Sequence, residues 1–290
     1  MENELRFIND DIKSKYIDGT EVVGIGSEGC VYDFYNKVNK IIMNKNNPKF
    51  RKLRYRLIVP RIPEKHMGRI VKSIYEFIQV FDTKSIVIND YGLLHRLNKL
   101  NYLSIDIILG RTLIRTLGDT PWYNFIIENE KQEQQDCIIQ SNILHIEKLE
   151  LFKRYGVNGV ELSPIKSNQE VIDKLHKFDI SSFVHFDSEI ATIGRTCPYI
   201  RMLHKYAHEC KENCDKVINI KLQRAYGVVT ENDASSNEEE IFPHFWGLGN
   251  VIYHKKNIDR YFQYEKSDGV IFNYLLDDND KIERARKKYI

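Results

Sequence analysis

The sequence predicts an α/β fold: a (β/α) TIM-like barrel, regular or irregular, formed by residues 1–290 as one domain and carrying a cysteine-bearing insertion. Three observations lead there. Short runs rich in β-branched residues alternate with longer stretches of helical period. The order strand then helix recurs along the chain. A length of 290 residues, 42% apolar and 29% charged, suits one elaborated core and neither a fibre nor a disordered chain.

Taken in order, the first expected strand is 21–25, where Val22, Val23 and Ile25 run into a glycine turn. Strands follow at 55–60 and 85–89, with a helix between them at 67–80 that repeats Ile70, Ile74, Phe77 and Ile78 at helical spacing. Further strands are expected at 104–109, 157–162, 182–187 and 269–274, with a helix at 168–177. Insertions are expected near 113–136 and 195–250. In the first, residues 118–136 hold Trp122 and a polar run and read as a surface loop; in the second, 230–240 is rich in Asn, Ser and Glu and reads as exposed.

Residues 1–10 carry neither a basic cap nor an apolar stretch of signal-peptide length, and no run approaches the roughly 20 apolar residues of a membrane helix. A soluble, cytoplasmic protein with no membrane span is expected. The net charge of +2 selects no class of partner. Five cysteines without regular spacing argue against a secreted disulfide scaffold and for reduced thiols.

The segment Gly24-Ile25-Gly26-Ser27-Glu28-Gly29-Cys30-Val31 fits the glycine-rich phosphate loop of protein kinases position by position. The remaining kinase motifs, a His-Arg-Asp catalytic loop and an Asp-Phe-Gly triplet, are missing from the 290 residues. The glycines therefore read as a turn leaving a strand, the place where β/α barrels build active sites.

Cys197, Cys210 and Cys214 stand in the order C-x12-C-x3-C. Thiolates are soft, strongly donating ligands, so three of them favour zinc or an iron-sulfur cluster over hard cations. For a fourth ligand, Cys30 follows the glycine turn, whereas Cys137 beside Ile138 and Ile139 reads as a small buried hydrophobe. His204 and His208 flank Cys210 and allow a mixed Cys/His zinc site to be drawn. Spacing alone leaves cluster and zinc open.

These residues resemble the collagenase-like peptidase family, peptidase family U32, and within it the UbiV-type branch of iron-sulfur ubiquinone-hydroxylation proteins. The likeness runs through Val22-Val23-Gly24-Ile25-Gly26 leading to Cys30, Gly194-Arg195-Thr196-Cys197, and the x12 and x3 spacing to Cys210 and Cys214. It extends to Tyr155-Gly156-Val157-Asn158-Gly159-Val160-Glu161-Leu162-Ser163 and to Gly247-Leu248-Gly249-Asn250, and is thin before Tyr155. The Gly-His pair that relatives carry shortly before the first carboxy-terminal cysteine is missing from Asp187-Ser188-Glu189.

The resemblance implies a 4Fe-4S cluster on Cys30, Cys197, Cys210 and Cys214, with zinc as the alternative. It also implies oxygen-independent hydroxylation of a small molecule or RNA base, with prephenate as the family's associated oxygen donor and a heteromeric partner of the same family. Two further classes stay open: a peptidase of that family, for which no Ser-His-Asp or His-Glu-x-x-His set is visible, and a non-catalytic zinc or iron-sulfur protein.

Glu161, at a strand end, is a candidate acid-base group beside the plainer reading of a solvated glutamate. Arg111 and Arg195 are candidates for binding the carboxylates of a prephenate-like acid. Residues 45–69 hold nine Lys or Arg and one acid, interleaved with aromatics; they read as an RNA-backbone patch or as a solvated basic face.

Overall fold

Eight parallel strands close on themselves. Following the chain, the barrel uses β1 (Glu2–Arg6), β2 (Val22–Gly26), β3 (Tyr55–Val59), β4 (Ser85–Ile88), β5 (Asp106–Leu109), β6 (Val157–Leu162) and β7 (Ser181–His185). A second, antiparallel sheet then interrupts the barrel with β8 (Ser188–Ile193), β9 (Ile218–Ile220), β10 (Phe245–Leu248) and β11 (Val251–Lys255), ordered β8-β11-β10-β9. The chain returns in β12 (Gly269–Asn273), which pairs with both β7 and β1 and closes the barrel. This computed structural model describes residues 1–6, 20–100, 105–120, 130–165, 167–194, 197–202, 210, 214, 217–220, 244–255, 262–276 and 279–289. Among them, no helix is long and apolar enough to cross a membrane.

The seven expected strands are β2 to β7 and β12, each end falling within two residues of its expected place. The expected helices are Met67–Phe81 and Ser167–Lys177. The first barrel strand was not expected, because Glu2, Glu4 and Arg6 give it the composition of a polar terminus. These side chains face inward, where Arg56 donates to Glu2 and Glu4 at 2.6 Å each and Arg6 pairs with Glu4. An ionised barrel interior inverts the usual hydropathy cue for a strand.

Outward-facing residues such as Leu57, Ile86, Leu109, Val160 and Val270 pack beneath the helices against Phe34, Ile70, Ile74, Phe77 and Ile172. Truncating one of these, Phe77→Ala for instance, costs about 3–5 kcal/mol. The middle of the barrel is a separate apolar layer of Ile58, Val87, Ile108, Phe183 and Ile271. Phe183 fits because glycines face it on two neighbouring strands. A Cβ on Gly159 would stand 2.8 Å from its ring, and one on Gly269 2.7 Å.

Several other expectations change. Strand β3 divides the basic segment, with Lys45 to Arg54 entering at one end of the barrel, Arg61 to Arg69 leaving at the other, and Arg56 buried between them. The segment is therefore two separate groups and not one patch. Within 118–136, a short turn at Leu117–Asp119 and the start of the helix Gln132–Ile139 replace part of the expected loop. Cys137 lies exposed on that helix, which corrects its reading as a buried hydrophobe. Residues 230–240, Arg195, His204 and His208 lie outside the described residues.

Candidate functional site

The C-terminal ends of β1, β6, β7 and β12 deliver Arg6, Glu161, His185 and Asn273 to one mouth of the barrel, the end at which barrel enzymes assemble their chemistry. The loop after β2 adds Glu28, and Arg111 enters from just beyond β5. Arg111 grips Glu28 with two parallel bonds, Nε at 2.8 Å and Nη2 at 2.9 Å. The Tyr253 hydroxyl on β11 donates to the same carboxylate at 2.7 Å. Arg6 donates to Glu4 and Glu161.

The second sheet covers this mouth. Arg111 donates to the Ser188 carbonyl, Arg115 donates to that of Ile190 at 3.0 Å, and Asn273 Nδ2 donates to Ser188 Oγ at 2.8 Å. Asn273 Nδ2 also lies 3.1 Å from His185 Nδ1. An amide NH2 only donates, so Nδ1 accepts and Nε2 carries the ring proton, directed toward Glu161 Oε2 at 3.2 Å.

Opposite charges in this cluster are closely paired. Arg6, Arg56 and Arg111 oppose Glu4, Glu28 and Glu161, and none of the six is more than 2% exposed. Burial, followed by the nearby Arg111, holds His185 well below the usual histidine range, so the imidazole is neutral. Burial alone would raise the Glu28 carboxyl, but the basic groups around it, Arg111 foremost and Arg6 among them, together outweigh burial and hold Glu28 below the usual carboxylate range. Glu28, Glu161 and His185 each offer a ligand atom within 4.8 Å of the others. With the Arg6 guanidinium against two of them, a divalent cation would face a buried positive charge at close range, which is costly. The arrangement suits hydrogen bonding and proton handling.

The thiols lie beside this mouth, and Cys30 is on the loop that carries Glu28. Cys30, two residues beyond Glu28, is the N-cap of the helix α1 (Val31–Met43), an end that favours negative charge. The tight turn Gly249-Asn250 between β10 and β11 lies against Cys197 and Cys214. Cys197 Sγ donates to the Gly249 carbonyl at 3.1 Å. Gly249 has φ +62°, and a Cβ there would stand 3.3 Å from Cys214 Sγ and 3.9 Å from Cys30 Cβ. Only a glycine leaves that space among the sulfurs open.

Asn250 ties the two cysteine loops together. Its Nδ2 donates to the Gly29 carbonyl at 2.8 Å and to the Gly194 carbonyl at 3.0 Å, just ahead of Cys30 and Cys197. The buried Asp33 of α1 accepts from the Cys214 backbone N–H at 3.2 Å and pairs with Lys37 at 2.8 Å. Burial pushes the Cys30 thiol up to about 11, and burial together with Asp33 also raises Cys214; the nearby Cys197 adds to both. Cys210 is half-buried, four positions before Cys214. Soft donors around an open glycine, with a helix N-terminus to offset negative charge, fit a thiolate-ligated metal group.

Of the other candidates, Glu161 is fully buried and ion-paired, not a solvated strand-end glutamate. Arg111 commits three donors to Glu28 and Ser188. Sequence reasoning missed Arg6, Glu28, His185 and Tyr253. His185 lies two residues before the stretch from which the Gly-His pair is missing, and places an imidazole in the mouth all the same. Its signal was the alternation Phe183, His185 along a barrel strand, where every second residue points inward.

No protein-family model matches the chain, and no curated protein does. Among solved structures, the chain is similar to the U32 peptidase Mk0906, at 12% identity and a TM-score of 0.47, over 94% of this chain and 92% of that one. The functional reading rests on the chain's own residues.

Proposed function

We propose that this chain is an iron-sulfur protein in which Cys30, Cys197, Cys210 and Cys214 hold a 4Fe-4S cluster next to a substrate-handling barrel mouth. The observation that carries the reading is the approach of Cys30, Cys197 and Cys214 to Gly249, with Cys30 two residues along the loop from Glu28. A cluster held by four thiolates supplies one-electron chemistry and offers no open iron site. Substrate contact then falls to the barrel mouth. There Glu28, Glu161, Arg6 and the neutral His185 supply fixed charge, hydrogen-bond donors and a ring proton on Nε2.

The resemblance read from the sequence gives the reaction class: oxygen-independent hydroxylation of a small molecule or RNA base, with a partner subunit of the same kind. The test is anaerobic purification of the full chain followed by iron, acid-labile sulfide and zinc analysis. Iron and sulfide that disappear in the Cys30→Ala, Cys197→Ala, Cys210→Ala and Cys214→Ala variants and persist in Cys137→Ala support it. Stoichiometric zinc without sulfide overturns it.

A further inference from the structure

Two donors in the barrel mouth point at one acceptor without reaching it. Arg6 Nη1 is fully buried, has no hydrogen-bond partner, and lies 3.9 Å from Glu28 Oε1. His185 Nε2, which carries the ring proton, lies 3.9 Å from that same oxygen. Both gaps are too long for a direct bond, and each is short enough to be bridged by an atom about 2.8 Å from its two ends.

We propose that this point binds a hydroxyl oxygen, which accepts from Arg6 Nη1, shares the His185 Nε2 proton with Glu161 Oε2 in a three-centre bond, and donates its own proton to Glu28 Oε1. The three groups select that chemistry. A carbonyl oxygen has no proton to offer Glu28, whose two carboxyl oxygens already accept from Arg111 Nε and Nη2. A carboxylate ligand would face the Glu28 charge, and a metal cation would face the Arg6 guanidinium. A hydroxyl satisfies all three.

Water or the hydroxyl of a small organic molecule can supply this oxygen, and at the C-terminal mouth of a barrel either is positioned for chemistry. Glu161, which accepts from Arg6 Nη2 and lies 3.2 Å from His185 Nε2, holds both side chains beside the site. The inference stands on the barrel mouth alone and does not require the thiols to hold a cluster.

The experiment is a high-resolution crystal structure of the full-length wild-type chain grown without added alcohols or sugars, with anomalous data. The expected result is density for one light atom within about 2.6–3.2 Å of Arg6 Nη1, His185 Nε2 and Glu28 Oε1. An isolated peak identifies water, and a peak continuous with further density identifies the hydroxyl of a retained molecule; either supports the proposal. Arg6 in direct contact with Glu28 and no density between them overturns it, as does a peak with a metal's anomalous signal. Nitrogen-15 NMR gives a second readout that needs no variant: a neutral His185 protonated on Nε2 is expected, and protonation on Nδ1 contradicts the proposal.

Discussion

Glu28 and Cys30 stand two residues apart on the loop that leaves β2, yet they serve different sites. Glu28 turns into the barrel mouth, where Arg111 and Tyr253 hold it, while Cys30 opens α1 and faces Gly249 with Cys197 and Cys214. A five-residue connection, Gly26 to Cys30, thus joins a thiol group to a hydrogen-bonding cluster. Changes to either site should be felt at the other through this loop.

Asn250 should matter more to metal loading than to folding. In Asn250→Ala the Gly29 and Gly194 carbonyls lose their shared donor, at a cost of about 1–3 kcal/mol. We expect the variant to fold with a lowered melting temperature and to retain less metal per chain than wild type after identical anaerobic purification. Wild-type metal content in the variant would show that the turn does not organise the cysteine loops.

Arg111→Met should be among the most destabilising single changes near the site, because it leaves Glu28 buried and without its main counter-charge. Breaking such a pair costs about 3–5 kcal/mol, while replacing both partners with apolar groups of similar volume costs less. Urea denaturation of Arg111→Met, Glu28→Leu and the double variant measures the coupling. A double variant as unstable as the sum of the singles would contradict a direct buried pair.

Stability should fall on mild acidification. His185 stays neutral in the folded chain, whereas an unfolded histidine takes up a proton near pH 6.5. The unfolded state then binds more protons, so stability drops as pH falls through about 6.5 and keeps dropping toward the depressed folded-state value. His66, held low by burial, acts in the same direction. Glu28 is lowered instead, so its contribution is present above the ordinary carboxylate range and is lost only at more acidic pH. Melting temperatures measured from pH 8 to pH 5 should show a shallower slope for His185→Asn than for wild type. Identical slopes would remove His185 as the source.

The thiols should differ in reactivity by environment. In metal-free protein, the exposed Cys137 should be alkylated by iodoacetamide before the half-buried Cys30, whose thiol is pushed up to about 11. Cys30 labelling should accelerate as pH rises toward that value, and peptide mass spectrometry reads each site separately. Preferential labelling of Cys30 at neutral pH would contradict the buried thiol group.

Much of the barrel was legible because β-branched strands buried on both faces read as apolar runs, as in Ile86, Val87 and Ile88 of β4. β1 was illegible for the opposite reason, since its inward positions are ionised and their partners, Arg56 and Glu161, lie 52 and 155 residues away. The C-x12-C-x3-C spacing made Cys197, Cys210 and Cys214 readable as a set, and Cys30 was joined to them by the glycine turn and the resemblance. The barrel-mouth cluster was not, because Arg6, Glu28, Arg111, Glu161 and His185 come from five separate segments and meet only when the barrel closes. Local sequence also misplaced Cys137: neighbouring isoleucines suggested burial, whereas a short helix turned the thiol outward.

The central claim is that four cysteines form one thiolate site holding an iron-sulfur cluster, and metal analysis of the anaerobically purified chain tests it most directly. The account predicts about four iron and four acid-labile sulfide per chain, as expected for a 4Fe-4S cluster, with both lost on alanine substitution of any of Cys30, Cys197, Cys210 or Cys214 and both kept in Cys137→Ala. Protein that contains neither iron nor sulfide after cluster reconstitution, or whose iron and sulfide survive substitution of Cys30, would contradict it.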